Sequence, residues 1–110
     1  VKVAYVQTEK EFSQAIVDIA RLLGWRVYRT HDSRRSPAGF PDLVLVRDGR
    51  LVFAELKTER GRVTADQQEW LAALGEVEQA VDGWTEKFVR VYVWRPSDWP
   101  EIESVLKGER

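Results

Sequence analysis

Residues 43–54 read LVLVRDGRLVFA, two short apolar runs joined through Asp48-Gly49. Asp-Gly between such runs is the strongest short-range signal for a two-residue hairpin turn. If Asp48 and Gly49 form the turn, Arg47 faces Arg50, and stepping outward along both strands places Asp42 opposite Glu55. Like charges facing each other across a strand pair are destabilising, so a cation is expected between them. Lys57 lies two residues beyond Glu55 and shares its face by the period of a strand. The hairpin therefore gathers two carboxylates and a lysine at one end.

What the rest of the composition excludes sharpens this. The chain has no cysteine and one histidine, which removes disulfides, a thiol nucleophile, Cys-based zinc sites and His-rich sites. A metal here is held by oxygen ligands, which favours magnesium or manganese over zinc. At 110 residues with 44% hydrophobic content, residues 1–110 are most simply one domain, long enough to bury a core without staples. No signal peptide and no apolar run near about 18 residues is visible, so a soluble, cytoplasmic protein with no membrane contact is expected. The net charge of −1 gives no bulk argument for nucleic-acid binding, but its distribution does. Arg26, Arg29, Arg34 and Arg35 precede the hairpin, and Lys57, Arg60 and Arg62 follow it. Basic segments on both sides match a local phosphate-binding surface.

Along the chain, residues 1–6 are a short apolar start, an optional extra strand. Thr8 opens a helix whose apolar face is Phe12, Ala15, Ile16, Ile19, Leu22 and Leu23, and Gly24 stops it. Residues 25–29 alternate as a half-buried strand, residues 31–40 read as a loop, and the hairpin follows. Residues 64–74 form a second helix, with Thr64 and Gln67 at capping-box spacing and Trp70, Leu71 and Leu74 on its apolar face. Residues 75–86 read two ways: Val77 and Val81 extend the helix, whereas Gly75 and Gly83 interrupt it. Residues 88–94 are a strand, and Asp98 with Glu101 opens a last helix bearing Ile102, Val105 and Leu106. The order helix, strand, strand, strand, helix, strand, helix indicates an α/β sheet flanked by helices.

The residues at the hairpin's end suit phosphodiester hydrolysis. Asp42 and Glu55 are candidate metal ligands, with the Leu56 carbonyl a third, and Lys57 is the candidate catalytic cation. Glu9 sits by helical phase on the core-facing side of the first helix; it either caps its own helix or points at the hairpin as an outer ligand. Glu11 shares a flank with Asp18. Gln67 is either the capping partner of Thr64 or a polar group beside Lys57. Arg34, Arg35 and Ser36 lead straight into Asp42 and suit phosphate contact better than His31 suits a general acid. Trp25, Trp70 and Trp94 fall at core spacing, and Trp84 and Trp99 fall near turns. All five read as packing residues.

The pattern GFPD, twelve residues, then ELK resembles the PD-(D/E)xK nuclease superfamily. TEKEF, LLGWRVYRTHDSRRS, GFPDLVLV, ELKTERGRVTADQQEWLAAL and VWRPSDW, in that order, resemble small stand-alone VRR-NUC domains of phage and bacterial genomes. The resemblance runs from about Thr8 to Ile102. It implies a restriction-endonuclease-like core with a mixed sheet, magnesium or manganese dependence and DNA cleavage. It implies Glu9 as the helix glutamate in preference to Glu11, Asp42 and Glu55 as ligands, Lys57 as the catalytic lysine and Gln67 as a site residue. Arg60 and Arg62 join Arg34, Arg35 and Ser36 as DNA contacts. Stand-alone members are similar to Holliday junction resolvases, which implies a homodimer acting on branched duplex. A less selective nicking or flap nuclease and a non-catalytic DNA-binding subunit are the alternatives. The segment between Leu74 and Phe88 is longer than the short turn the family leads one to expect.

Overall fold

The computed structural model describes residues 8–31, 36–81 and 88–108. The order is helix α1 (Glu9–Leu22), strands β1 (Arg26–Arg29), β2 (Leu43–Arg47) and β3 (Arg50–Leu56), helix α2 (Ala65–Val81), strand β4 (Phe88–Trp94), a 3-10 turn (Pro96–Asp98) and helix α3 (Trp99–Leu106). This is the expected α-β-β-β-α-β-α order. The four strands form one sheet in chain order. β1–β2 and β2–β3 pair antiparallel, while β3–β4 pair parallel through the α2 crossover. The sheet is mixed and flanked by helices, compatible with a restriction-endonuclease-like fold.

The hairpin has the register read from Asp48-Gly49. Leu43 faces Ala54 and Arg47 faces Arg50. Asp48 (φ 49°) and Gly49 (φ 79°) both adopt positive φ, as a type I′ turn requires, and that backbone twist matches the flanking strands. The two turn-flanking arginines are like charges at short range, and each finds another partner. Arg47 Nη1 donates to the carbonyls of Leu23 (2.9 Å) and Leu106 (3.1 Å), the C-terminal ends of α1 and α3. Its guanidinium also lies 5.2 Å from the centre of the Trp25 ring. The Arg50 guanidinium lies 5.3 Å from the Phe88 ring centre.

Alternation along the strands separates the two faces of the sheet. Leu43, Leu45, Val52, Ala54, Leu56 and Trp94 pack against Phe12, Ile16, Val17 and Ala20 of α1 and Ile102 and Leu106 of α3. The Trp25 indole closes this core by donating to the Leu106 carbonyl at 2.9 Å. On the other face, Phe40 meets Phe53 and Trp70 edge-on, at 5.9 and 5.0 Å between ring centres. These two contacts dock α2 onto the sheet. Trp25 and Trp94 are buried in the core and Trp99 packs on Phe12, the packing role expected of them; Trp84 lies outside the described residues.

One expectation changes and one open reading closes. The buried stripe of α1 is Phe12, Ile16, Val17 and Ala20, and Leu22 is 82% exposed, because the stripe has rotated away from it by the last turn. Gly75 does not interrupt α2, which runs on to Val81. A mid-helix glycine costs only about 1 kcal/mol, and the added turns are held on β4, where the Val91 N–H donates to Glu78 Oε1 at 2.8 Å. That contact also satisfies an N–H of a strand at the end of the sheet order. The optional strand at residues 1–6 and the far end of the 75–86 segment lie outside the described residues.

Because Arg47 ties two helix ends to the hairpin, Arg47→Ala is expected to lower the unfolding free energy by about 1–3 kcal/mol, read by urea denaturation. A change within error would show that those carbonyls are equally well served by water.

Candidate active site

The antiparallel ladder ends at Leu43–Ala54, and the Asp42 side chain takes over where it stops. Asp42 Oδ2 accepts the Leu56 N–H at 2.8 Å, while the Asp42 carbonyl accepts the Thr30 N–H at 2.8 Å. Asp42 is thus held by both neighbouring strands. The loop before it is equally constrained. Gly39 has φ +98°, and a Cβ there would lie 2.5 Å from the Asp66 carbonyl carbon. Only glycine lets the GFPD segment press against the first turn of α2.

Glu55 is 1% exposed, the one buried charged side chain among the described residues. Its Oε2 accepts from Gln67 Nε2 at 2.9 Å and lies 3.4 Å from Lys57 Nζ. Its Oε1 is buried without a hydrogen-bond partner. Burial pushes the Glu55 carboxyl up to about 7, the nearby Asp42 charge acts in the same direction, and the Lys57 ammonium partly offsets both. The pairing inferred from strand register therefore brings Asp42, Glu55 and Lys57 together.

Gln67 fulfils both of its readings at once. Its backbone N–H donates to Thr64 Oγ1 (3.2 Å) and its Oε1 accepts the Thr64 N–H (2.9 Å), closing a capping box. The amide nitrogen is left to hold Glu55. The two glutamates of α1 divide the roles left open for Glu9. Glu11 forms the capping box with Thr8, its Oε1 accepting the Thr8 N–H at 3.0 Å. Glu9 instead lines a cavity of about 390 Å³ together with Ser13, Thr30, His31, Asp42 and Leu56. A second cavity, of about 830 Å³, reaches Asp42 and Gln67 from the Ser36 side.

Arg60 and Arg62 are exposed on the loop that begins at Lys57. Arg34 and Arg35 lie outside the described residues. Among the described residues, no three Asp, Glu or His side chains are close enough together to form a ready-made metal cluster. The pair Asp42–Glu55 is what the fold assembles, with Glu9 lining the same cavity as Asp42. Residues unremarked in the sequence include Thr30 and Ser13 at the cavity wall, and Arg95. Arg95 stands at the C-terminal end of a strand parallel to β3, and that placement was the signal available for it.

A family model, the VRR-NUC domain, matches residues 2–84. The chain belongs to the VRR-NUC family. Domains of this family are nucleases of the PD-(D/E)xK type with DNA as substrate. The family match ends within the segment joining α2 to β4, and α2 itself continues to its border. No curated protein matches the chain. Among the described residues no helix is long and apolar enough to cross a membrane.

The raised Glu55 carboxyl has a consequence for metal-free protein. Between about pH 4.5, its ordinary value, and about 7, the folded state keeps a proton that the unfolded chain has released. Stability from this group therefore falls as pH rises through that window. Urea unfolding in chelator should show this decline in the parent and a flatter profile in Glu55→Gln. Parallel profiles would remove Glu55 as the cause.

Proposed function

We propose that this VRR-NUC chain is a divalent-metal-dependent DNA endonuclease, one domain spanning residues 1–110, that hydrolyses phosphodiesters in branched or otherwise structured duplex as a cytoplasmic homodimer. The observation that carries the reading is the buried Glu55 carboxylate with an unpartnered oxygen beside Asp42. Such a pair is costly without a cation, and its all-oxygen donor set fits magnesium or manganese. Asp42, Glu55 and the Leu56 carbonyl would hold the ion, with Glu9 as an outer or indirect ligand. When bound, the ion supplies positive charge at the scissile phosphate and eases deprotonation of the attacking water.

The remaining work falls to the protein. Gln67 grips Glu55 Oε2 through its amide nitrogen, which holds the carboxylate's orientation with Oε1 on its free side. The Lys57 ammonium, 12% exposed on its side chain, places a fixed positive charge where negative charge grows on the phosphate in the transition state. Arg34, Arg35 and Ser36 on one flank and Arg60 and Arg62 on the other would seat the neighbouring phosphates. Two copies related by a twofold axis would present two such sites symmetrically to a branched duplex.

Cleavage of a four-way junction, a flap and plain duplex is the test. Cutting is expected with magnesium or manganese, is abolished by EDTA, and is fastest on the junction. Lys57→Ala should lower kcat about 100- to 1000-fold. Activity that survives EDTA or the Lys57 substitution would overturn the mechanism, and equal rates on junction and duplex would overturn the selectivity. In a separate binding titration, Arg60→Ala with Arg62→Ala should reduce the slope of log affinity against log salt by about 2. An unchanged slope would remove these two residues from the interface.

A further inference from the structure

The segment after Lys57 is gripped from the end of β4. Arg95 Nη1 reaches three backbone carbonyls of one short turn, donating its two hydrogens to Thr58 (2.8 Å) and Gly61 (2.7 Å) and sharing one with Glu59 at 3.3 Å. The turn closes on itself through the Gly61 N–H to the Thr58 carbonyl at 3.2 Å. Two further bonds lock the same two segments together. The Lys57 N–H donates to the Trp94 carbonyl at 3.0 Å, and the Ser97 N–H donates to Glu59 Oε2 at 3.0 Å. The Arg95 backbone is itself held, its N–H donating to Asp98 Oδ2 at 2.8 Å.

What this turn touches gives the clamp a functional reading. Gly61 lies against the stem of Lys57: a Cβ there would sit 3.5 Å from Lys57 Cδ and 3.0 Å from Thr58 Oγ1. The turn thus packs beside the lysine side chain, whose ammonium lies 3.4 Å from Glu55 Oε2. A flexible four-carbon stem has many rotamers, and an ammonium must be held in place before it can stabilise a transition state. We propose that Arg95 is a positioning residue for Lys57, acting through the 58–61 turn. Its Nη1 gathers three carbonyls of that turn, and the planar guanidinium holds the two hydrogens of that nitrogen in a fixed direction. This rests on the nuclease reading of Lys57, and it adds a residue from a strand that carries none of the acidic pair.

A brace that merely stabilises the fold and a residue that positions Lys57 differ in how they combine with loss of the lysine. Single-turnover cleavage of the four-way junction in magnesium is compared for the parent, Arg95→Gln, Arg95→Lys, Lys57→Ala and the Arg95→Gln, Lys57→Ala double variant. Arg95→Gln should lower kcat about 10- to 100-fold while KM stays within about twofold. Arg95→Lys, which keeps the charge and can reach some of the carbonyls, should recover part of the loss; if Arg95→Gln does not fold, Arg95→Lys carries the same comparison. In the Lys57→Ala background the Arg95 change should alter the rate by less than about twofold. Equal losses in both backgrounds, or a loss confined to KM, would overturn the proposal. The second readout is the NMR signal of the Lys57 side chain in DNA-free protein, which does not depend on cleavage. A dispersed signal that collapses toward the solvent-exposed lysines in Arg95→Gln supports the role, and an unchanged signal overturns it. A parent that does not cut DNA would end the nuclease reading, while this second readout would still decide whether Arg95 orders Lys57.

Discussion

One carboxylate taken out of water organises the site. Glu55 sits on the α2 side of β3, next to Phe53 and beneath a helix docked by Phe40 and Trp70. An ionised carboxylate in such a place costs several kcal/mol unless its oxygens are satisfied. The fold satisfies one of them twice over, with Gln67 and Lys57, and leaves the other bare beside Asp42. That asymmetry distinguishes the arrangement from an ordinary buried ion pair. It also explains why so many elements converge there: the approach to the start of β2, the end of β3 and the first turn of α2 each supply a group.

The sheet topology decides which end of the molecule this is. β3 and β4 run parallel, so their C-terminal ends lie side by side, and sites in α/β sheets collect at such ends. Glu55 to Lys57 leave β3 there, and Trp94 and Arg95 leave β4 there. The antiparallel partner β2 begins at the same end, which brings in Asp42 directly before its first residue. A crossover through α2 is obligatory for the parallel pair, and its first turn lands on the same end, so Gln67 arrives with it. Gly39 makes that landing close, because the Asp66 backbone occupies the space a side chain would need.

Much of this could be read from residues in a row. Asp48-Gly49 dictates its turn through the positive φ that both positions accept, and register follows by counting, so the meeting of Asp42, Glu55 and Lys57 was legible in one dimension. Thr8 and Gly24 bounded α1, and Thr64 with Gln67 opened α2, because capping is chemistry between near neighbours in sequence. Legibility failed where distant parts of the chain compete for the same residue. Glu9 was open between capping its helix and facing the hairpin, and only the structure gave the cap to Glu11 and the cavity to Glu9. Gly75 against Val77 and Val81 left the end of α2 open until β4 gave the following turns something to hold. Leu22 looked buried because the periodic stripe read from sequence is wider than the Phe12, Ile16, Val17 and Ala20 stripe that the helix buries.

The sequence by itself determined the hairpin, its register and therefore the acidic pair with its lysine, since strand pairing through a two-residue turn is a local geometric rule. It also excluded thiolate and multi-histidine ligation, through the absence of cysteine and the single histidine. Tertiary structure alone decided that Gln67 both caps α2 and holds Glu55, that Glu9 and not Glu11 faces the cavity, and that Arg95 clamps the turn beside Lys57. Each of these is a contact between segments whose separation in the chain says nothing about their separation in space. The parallel pairing of β3 with β4 and the landing of α2 had to be in place before any of those side chains had a partner to choose.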